Sequence, residues 1–262
     1  MQRGLDRFHE LHPDVGVLLN VTRHPYSFNG DSKRGSLAGH GTKEGAEPTW
    51  HESLLGYCGG DEGRRAQAEE GMRALGRRAG VELDYDVQTN WQPVDSQRAM
   101  LWARRFGLAE IFMDELGHRH FERKASASHR STLLAAAAAS GLDADALDAF
   151  LDTRELVGDV WDSYGSTINE KGIHAIPYFV FGPVGMRTPF RESGKLRAVT
   201  INGSGDADQF LRVFEGLLER DLPANLETLS VKALRAALAE RSVSTIGCSE
   251  KTDLVQLLAA HR

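Results

Sequence analysis

The feature that most constrains the fold is a proline at the start of an apolar run. Pro177 stands directly before Tyr178-Phe-Val-Phe181, whose bulky apolar residues favour a β-strand. A proline inside a central strand would remove a donor from the ladder, whereas at the first residue of a strand it is permitted. Gly172 ends the preceding helix. The sequence therefore predicts a helix, a turn compatible with a cis peptide bond before Pro177, and a strand.

Further strands are predicted on both sides of a long helical block. Gly16-Val-Leu-Leu-Asn-Val-Thr22 is largely apolar, as buried parallel strands are, and Arg197-Ala-Val-Thr-Ile201 is a similar run. Residues 50–175 show mainly helical periodicity, and residues 208–218 predict another helix. This order predicts an α/β fold in which a sheet carries a large helical insertion at about 50–172.

Within the helical block, capping residues and apolar spacing predict the individual helices. Asp95, Asp143 and Asp152 are suited to helix N-termini, because a carboxylate there accepts otherwise unpaired backbone N–H groups. The Ala-rich run at 133–139 favours a helix. Ala66, Met72 and Leu75 stand at helical spacing and predict a helix over residues 61–78. Four aromatic residues at helical spacing are expected to belong to the core. They are Trp102, Phe106, Trp161 and Tyr164.

Composition excludes several classes of protein. The chain has 262 residues, of which 41% are hydrophobic, and this is enough for a sizeable core. A net charge of −6 does not favour an electrostatic grip on nucleic acid. Two cysteines, Cys58 and Cys248, rule out a disulfide scaffold. No apolar run is long enough to cross a membrane, and the first residues do not form an apolar leader, so a cytoplasmic protein is expected.

Three other motifs do not support a site. The glycine-rich stretch at 29–49 places Gly41-Thr42-Lys43 in the wrong order for a phosphate-binding loop, and is predicted to be a loop. His118 and His120 are two residues apart on a predicted helix and so point to different faces, which disfavours a metal site. The sequence has no Gly-x-Ser-x-Gly elbow, which disfavours a serine hydrolase.

Lys171-Gly-Ile-His-Ala-Ile-Pro-Tyr-Phe-Val-Phe181 resembles the cis-proline segment of the DsbA-like thioredoxin-fold family, in its FrnE-type branch. The family usually has glycine where this chain has Ala175. Further segments resemble the family in the same order along residues 1–220. They are Arg23-His-Pro-Tyr-Ser-Phe-Asn29, Leu54-Leu-Gly-Tyr57, Pro93-Val-Asp-Ser-Gln-Arg-Ala99, Phe121-Glu-Arg-Lys-Ala-Ser-Ala-Ser128 and Ile201-Asn-Gly203 with Phe210.

The resemblance implies a thiol–disulfide oxidoreductase with a thioredoxin-like domain at 1–222. Ile176 and Pro177 would bind a thiol or disulfide substrate, either a protein or a small thiol, and His174 would either tune a thiolate or remain a solvated loop histidine. Family members begin with a strand and a Cys-x-x-Cys pair at the first helix N-terminus, where the helix lowers the thiol pKa. The sequence contains no such pair and begins inside the resembling helix. We therefore expect a truncated or inactive chain, with Cys58 and Cys248 as incidental free thiols.

Residues 223–262 resemble SAP-like helix–loop–helix modules, and most closely the end of the mesencephalic neurotrophic-factor family. Gly247-Cys-Ser-Glu-Lys-Thr-Asp253 carries the resemblance, and Thr245 replaces the first cysteine of that family's loop. Such modules bind DNA or a protein partner. With five basic and four acidic residues, this segment favours a protein partner over nucleic acid.

Two alternative functions are also compatible with the sequence. Related families are glutathione-dependent transferases of the kappa kind and hydroxychromene-carboxylate isomerases, which bind glutathione at the cis-proline. The chain could instead be a non-catalytic binding protein whose 223–262 module recognises the partner. No cofactor is expected for the oxidoreductase, glutathione is the ligand implied by the first alternative, and no metal is expected in any of them.

Overall fold

The computed structural model describes residues 1–15, 19–32, 34, 47–89, 94–182, 199–218, 225–240, 243–245, 247–248 and 250–260. These residues form two compact units. One unit contains residues 1–20 and 175–262, and the other contains residues 21–174. The glycine-rich stretch is described only in part, and residues 41–43 lie outside the described residues.

The helices and strands are numbered along the chain. The unit of residues 1–20 and 175–262 contains α1 (Gln2–Leu11), β1 (Tyr178–Phe181), β2 (Val199–Asn202), α9 (Ala207–Leu218), α10 (Val231–Glu240) and α11 (Lys251–Ala260). The other unit contains α2 (Trp50–Tyr57), α3 (Glu62–Ala79), α4 (Val94–Arg104), α5 (Ala109–Glu122), α6 (Arg130–Ala139), α7 (Ala144–Leu151) and α8 (Val157–Gly165). A π-helical segment, Ser166–Glu170, continues α8.

A small antiparallel sheet and two helices form the first core of the unit that holds the termini. β1 pairs with β2, and Tyr178 is opposite Asn202 in this register. Phe8 of α1 is buried against the apolar side chains of α9 and β2, in particular Phe210 and Ile201. Because aromatic side chains bury large apolar areas, this cluster fixes the position of β1 on α9.

The C-terminal helices have an apolar cluster of their own. Leu234 and Leu238 of α10 pack with Leu254 and Leu258 of α11, and each is almost completely buried. Leu226, in a short 3₁₀ turn before α10, completes the cluster. The two predicted helices of the 223–262 segment are thus present and packed on each other, in agreement with the helix–loop–helix pattern of the sequence.

The described residues of the unit 21–174 are mainly helical. α4 to α7 enclose a cluster that includes Trp102, Phe112, Leu116, Leu133 and Leu147. Local sequence sets several helix starts: Thr49 and Glu52 form a reciprocal capping box at α2, and Asp61 and Asp143 cap α3 and α7. Among the residues that the structure describes, no helix is long and apolar enough to cross a membrane.

The structure corrects several sequence-based predictions about secondary structure. Residues 19–22 of the first predicted strand do not form a strand, and residues 16–18 lie outside the described residues. Asp152 does not begin a helix, since α8 starts at Val157. Asp95 lies within the first turn of α4 and not before it. The strand predicted at 197–201 is found at Val199–Asn202, and the strand predicted at Tyr178–Phe181 is confirmed.

The prediction of core positions is confirmed for three of the four aromatic residues and is wrong for Phe106. Trp102, Trp161 and Tyr164 are buried as predicted. Phe106 is 57% exposed because α4 ends at Arg104 and the chain turns through Gly107 there. Met72 and Leu75 remain 49% and 40% exposed, because α3 packs through a neighbouring face.

Candidate functional site

The helix before the predicted site, residues 174–177, changes from α-helical to π-helical geometry. α8 continues into the π-helical turn Ser166–Glu170, where the amide of Lys171 donates to the carbonyl of Ser166 at 3.0 Å. The amide of Ile173 donates to the carbonyl of Thr167 at 3.0 Å, and Gly172 has a φ of +63°. Only glycine adopts that conformation without a steric cost, so Gly172 ends the helix as the sequence predicts. π-helical turns occur frequently at functional sites.

The segment that follows is exposed. His174, Ala175, Ile176 and Pro177 all lie at the surface, and the side chain of Ile176 is 47% exposed. The Ile176–Pro177 peptide bond is cis, the geometry considered from the sequence. In the part of the chain that the structure describes, no backbone hydrogen bond occupies the amide or the carbonyl of Ile176.

The strand after Pro177 is held firmly in place. The carbonyl of Pro177 accepts a hydrogen bond from the amide of Gly203 at 2.8 Å, which extends the β1–β2 pairing by one step. Phe179 of β1 meets Phe210 of α9 edge to face, with ring centroids 5.2 Å apart. An exposed proline is therefore anchored on its C-terminal side by a paired strand and a packed core.

The unit of residues 21–174 contains a polar cleft that the sequence analysis did not predict. Its volume is about 470 Å³, and it is lined by polar and charged side chains of the π-helical turn and α8, together with parts of the segment 24–34. Ser163, Ser166, Asn169 and Glu170 come from the helical side, and His24, Asp31 and Arg34 come from the loop side. The spacing of the polar residues along 163–170 was the available signal, but polar helix faces are usually only solvated.

The cleft contains an ion pair and a histidine whose pKa is lowered. Arg34 and Asp162 form an ion pair at 2.7 Å. Burial lowers the pKa of His24, and the positive charges of Lys171 and Arg104 lower it further. Asp31 approaches α8 at Gly165, where an added Cβ would lie 2.8 Å from the Asp31 carboxylate. The cleft therefore offers both signs of charge, together with hydroxyl and amide groups.

The remaining residues discussed from the sequence do not form a site. Cys58 and Cys248 are both free thiols. His118 pairs with Glu122 at 2.7 Å on the surface, whereas His120 is buried and accepts a hydrogen bond from the amide of Ala127 at 3.2 Å. The described residues contain no group of three or more histidine, cysteine, aspartate or glutamate side chains placed to hold a metal ion.

Comparison with known proteins identifies the family. The model of the DSBA-like thioredoxin domain matches residues 19–214, about three quarters of the sequence. The chain belongs to this family. The expected thioredoxin-like DsbA class of domain is thereby confirmed, and the site segment and the cleft both fall inside the matched range. A search of curated protein sequences found no match.

A solved structure supports the fold of this DSBA-like chain. The chain is similar to a probable DsbA oxidoreductase from Streptomyces coelicolor, with a TM-score of 0.59 and 18% identity. The similarity covers 86% of this chain and 87% of that protein. At this identity the likeness indicates a shared fold, and membership of the DSBA-like family associates the chain with thiol–disulfide oxidoreductases in general.

Proposed function

We propose that this chain binds substrates of thiol–disulfide exchange through the exposed segment 174–177. The observation that carries the proposal is Ile176, which lies within the DSBA-like range and has an exposed side chain. Its backbone amide and carbonyl make no backbone hydrogen bond to the described residues, and only Pro177 separates it from the paired strand β1. Extended peptides bind folded proteins by pairing main-chain groups with exposed backbone, while side-chain contacts supply selectivity. The ligand is a cysteine-containing polypeptide in an extended conformation, or a small thiol.

Each residue of the segment has a distinct role in this proposal. Ile176 offers its backbone groups and an apolar contact, and Pro177 holds the turn that presents them. His174 lies three residues earlier and is exposed, so its imidazole is accessible to a bound thiol or disulfide. The FrnE-type assignment within the DsbA-like family belongs to the same proposal, and it rests on the segments quoted from the sequence.

Thiol–disulfide exchange requires a thiolate, and the segment 174–177 contains no cysteine. Exchange proceeds by attack of a thiolate on a disulfide, through a mixed disulfide. The sequence has no Cys-x-x-Cys pair, so we expect no catalytic turnover by these 262 residues. The assay is insulin reduction with dithiothreitol. Turnover above the uncatalysed rate that survives Cys58→Ser would contradict this expectation.

Substrate binding is tested separately from turnover. Fluorescence anisotropy with a labelled, cysteine-containing unstructured peptide measures affinity for the full chain and for Ile176→Asp. We expect the substitution to weaken binding about tenfold. The apolar contact that Ile176 makes with the bound peptide is replaced by a charge, and binding must remove water from that charge. Val231→Asp is the matched control, since Val231 is similarly exposed, at 43%, on α10. Equal affinities of Ile176→Asp and the unmodified chain would refute the proposed role of the segment.

A glutathione-dependent function is the second candidate, and the cleft is the observation that favours it. A volume of about 470 Å³ is within the range of small-molecule sites, and the lining offers partners for carboxylate, ammonium and amide groups. Calorimetry with reduced glutathione distinguishes the two candidates. Saturable binding that is lost in Ser166→Trp would favour the glutathione-dependent function. The absence of any heat of binding would favour the first proposal, in which the ligand is a polypeptide.

The C-terminal module is proposed as a protein-binding element. Its helices pack on a cluster of their own, and its almost balanced charge does not favour a partner of one sign of charge. A pull-down with the full chain and with a variant that ends at residue 222 tests this. Partners retained equally by both forms would refute a binding role for the module.

A further inference from the structure

One face of α3 carries an apolar stripe that its own unit leaves uncovered. Ala68, Met72, Leu75 and Ala79 follow one another at spacings of four, three and four residues. This is the spacing at which one helix packs along another. Ala68 and Ala79 are exposed, and Met72 and Leu75 are 49% and 40% exposed. The stripe therefore has the spacing of a buried helix face, although its side chains are exposed.

The packing of α3 within its unit uses a neighbouring face. Arg65 and Glu69 point towards α2, where Glu69 lies 3.0 Å from His51 and Arg65 lies 2.9 Å from the same imidazole. Further along, Gly76 packs so closely on the chain after the helix that an added Cβ would lie 2.7 Å from the carbonyl oxygen of Val81. These contacts fix α3 in its orientation and keep the stripe at the surface.

The charges of α3 are divided between its two halves. Apart from Arg65 and Glu69, which face α2, residues 61–70 contain three acidic side chains and one basic side chain, and residues 71–80 contain three basic and no acidic side chains. A second copy of α3 in the antiparallel direction would place the acidic half of each helix beside the basic half of the other. The helix dipoles would also be opposed, which is the favourable arrangement. In a parallel arrangement, like charges would face each other along the whole helix.

We infer that the stripe is the contact surface between two copies of this chain, with their α3 helices antiparallel. The two-fold axis passes near Gly71 and Met72, so that Ala68 of one copy lies beside Leu75 of the other. A self-complementary surface of this kind is what a two-fold dimer requires. Gly71 stands at the crossing point, and no atom of the described residues lies within 4 Å of where its Cβ would be, so the backbone of a second helix has room to approach.

The first test is the oligomeric state of the full chain. Sedimentation velocity over a series of concentrations is expected to show a monomer–dimer equilibrium. Replacing Met72 and Leu75 together by serine should weaken the association at least about tenfold, because the central apolar contacts of an interface carry most of its affinity. Ile111→Ser is the matched control: Ile111 is 51% exposed on α5, in the same unit. Circular dichroism shows whether each variant remains folded.

The second test determines the direction of the helices. In a background of Cys58→Ser and Cys248→Ser, Ala68→Cys and Leu75→Cys are prepared separately and oxidised alone and as a mixture. The antiparallel arrangement predicts a crosslinked dimer in the mixture and little in either single variant. A monomer at every concentration, an affinity insensitive to the serine substitutions, or crosslinking of each single variant with itself would overturn the inference.

Discussion

Gly4 of α1 lies directly against Phe210 of α9. A Cβ at position 4 would be 2.7 Å from the Cβ of Phe210 and 2.8 Å from the carbonyl oxygen of Ala207. Real Cβ atoms do not make contacts this short. The two helices can therefore approach each other this closely only because position 4 has no side chain. The same Phe210 packs on Phe179 of β1. The glycine thereby helps to position the strand that follows the exposed proline.

Gly4→Ala is therefore expected to destabilise the chain. Overpacking a tight contact costs about 1–3 kcal/mol, which exceeds the gain of roughly 0.5–1 kcal/mol that alanine gives over glycine within a helix. Gly117→Ala on α5 is the control, because among the residues that the structure describes no atom lies within 4 Å of its added Cβ. Urea unfolding should move to lower concentration for Gly4→Ala and slightly higher for Gly117→Ala. A shift in the same direction for both variants would contradict the close contact.

Arg98 is a buried cation that organises the turn before α8. Its side chain is 1% exposed and donates to Asp95 at 2.7 Å, and to the carbonyls of Glu155 and Thr153 at 2.8 Å each. Arg98→Met leaves the carboxylate and both carbonyls without these donors, and we expect a loss of about 3–5 kcal/mol in the free energy of unfolding. Arg98→Lys should recover little, because an ammonium cannot reproduce the planar fork.

Arg105→Met is the matched control for Arg98. Arg105 also pairs with Glu155, but both side chains are about half exposed, and such pairs contribute only about 0–1 kcal/mol. Denaturant unfolding, monitored by tryptophan fluorescence, compares the two variants. Similar losses of stability for both would show that the burial of Arg98 is not what makes it important.

His120 makes stability depend on pH in the acidic range. Burial, and secondarily the charge of His129, lowers the pKa of His120 from its ordinary value of 6.5 to about 4. Below pH 6.5 the unfolded chain binds a proton at this residue that the folded chain takes up only near pH 4. Stability therefore falls as the pH drops from about 6.5 to about 4, by about 3 kcal/mol at 1.36 kcal/mol for each pKa unit, and then levels off.

His120→Gln should remove this component of the pH dependence, since glutamine can still accept the hydrogen bond from Ala127 without titrating. His118→Gln, on the exposed side of the same helix, should retain it. The measurement is the free energy of unfolding at intervals between pH 7 and pH 4. If the slopes of the two variants agree with each other, the assignment to His120 is wrong.

Leu238 tests whether the C-terminal helices unfold on their own. It is completely buried in the cluster of α10 and α11, and Leu→Ala substitutions in such cores cost about 2–5 kcal/mol. We expect Leu238→Ala to increase hydrogen exchange throughout α10 and α11 while α4 to α7 keep their protection. Val231→Ala, at a 43% exposed position on α10, should change little. Loss of protection across the whole chain would contradict an independent module.

Local sequence predicted those elements whose determinants are local. The strand Tyr178–Phe181 was correctly bounded because a proline and an apolar run mark its start, and Asp143 caps α7 through the amide of Ala146 as its position indicates. The predicted helix start at Asp152 was wrong for a non-local reason. The carbonyls of Thr153 and Glu155 are bonded by Arg98, more than fifty residues earlier, and Leu156 adopts a φ of +62°.

The candidate site was predicted in the same partial way. The exposed proline segment could be located from its motif. The polar cleft could not, because it forms only where Asp31 and Arg34 approach α8. Gly165 allows the Asp31 carboxylate to lie close to α8, and this role is visible only in the structure. On a sequence it resembles any other glycine near the end of a helix.

The π-helical turn at Ser166–Glu170 also constrains how this region of the chain can change length. The turn holds one residue more than an α-helix would in the same span. Deleting that residue would restore α-helical geometry and rotate the end of this unit, up to His174, by about 100° around the helix axis. His174 would then emerge from a different side of the helix. Insertions and deletions in the family should therefore be far rarer between α8 and His174 than in the surface loops.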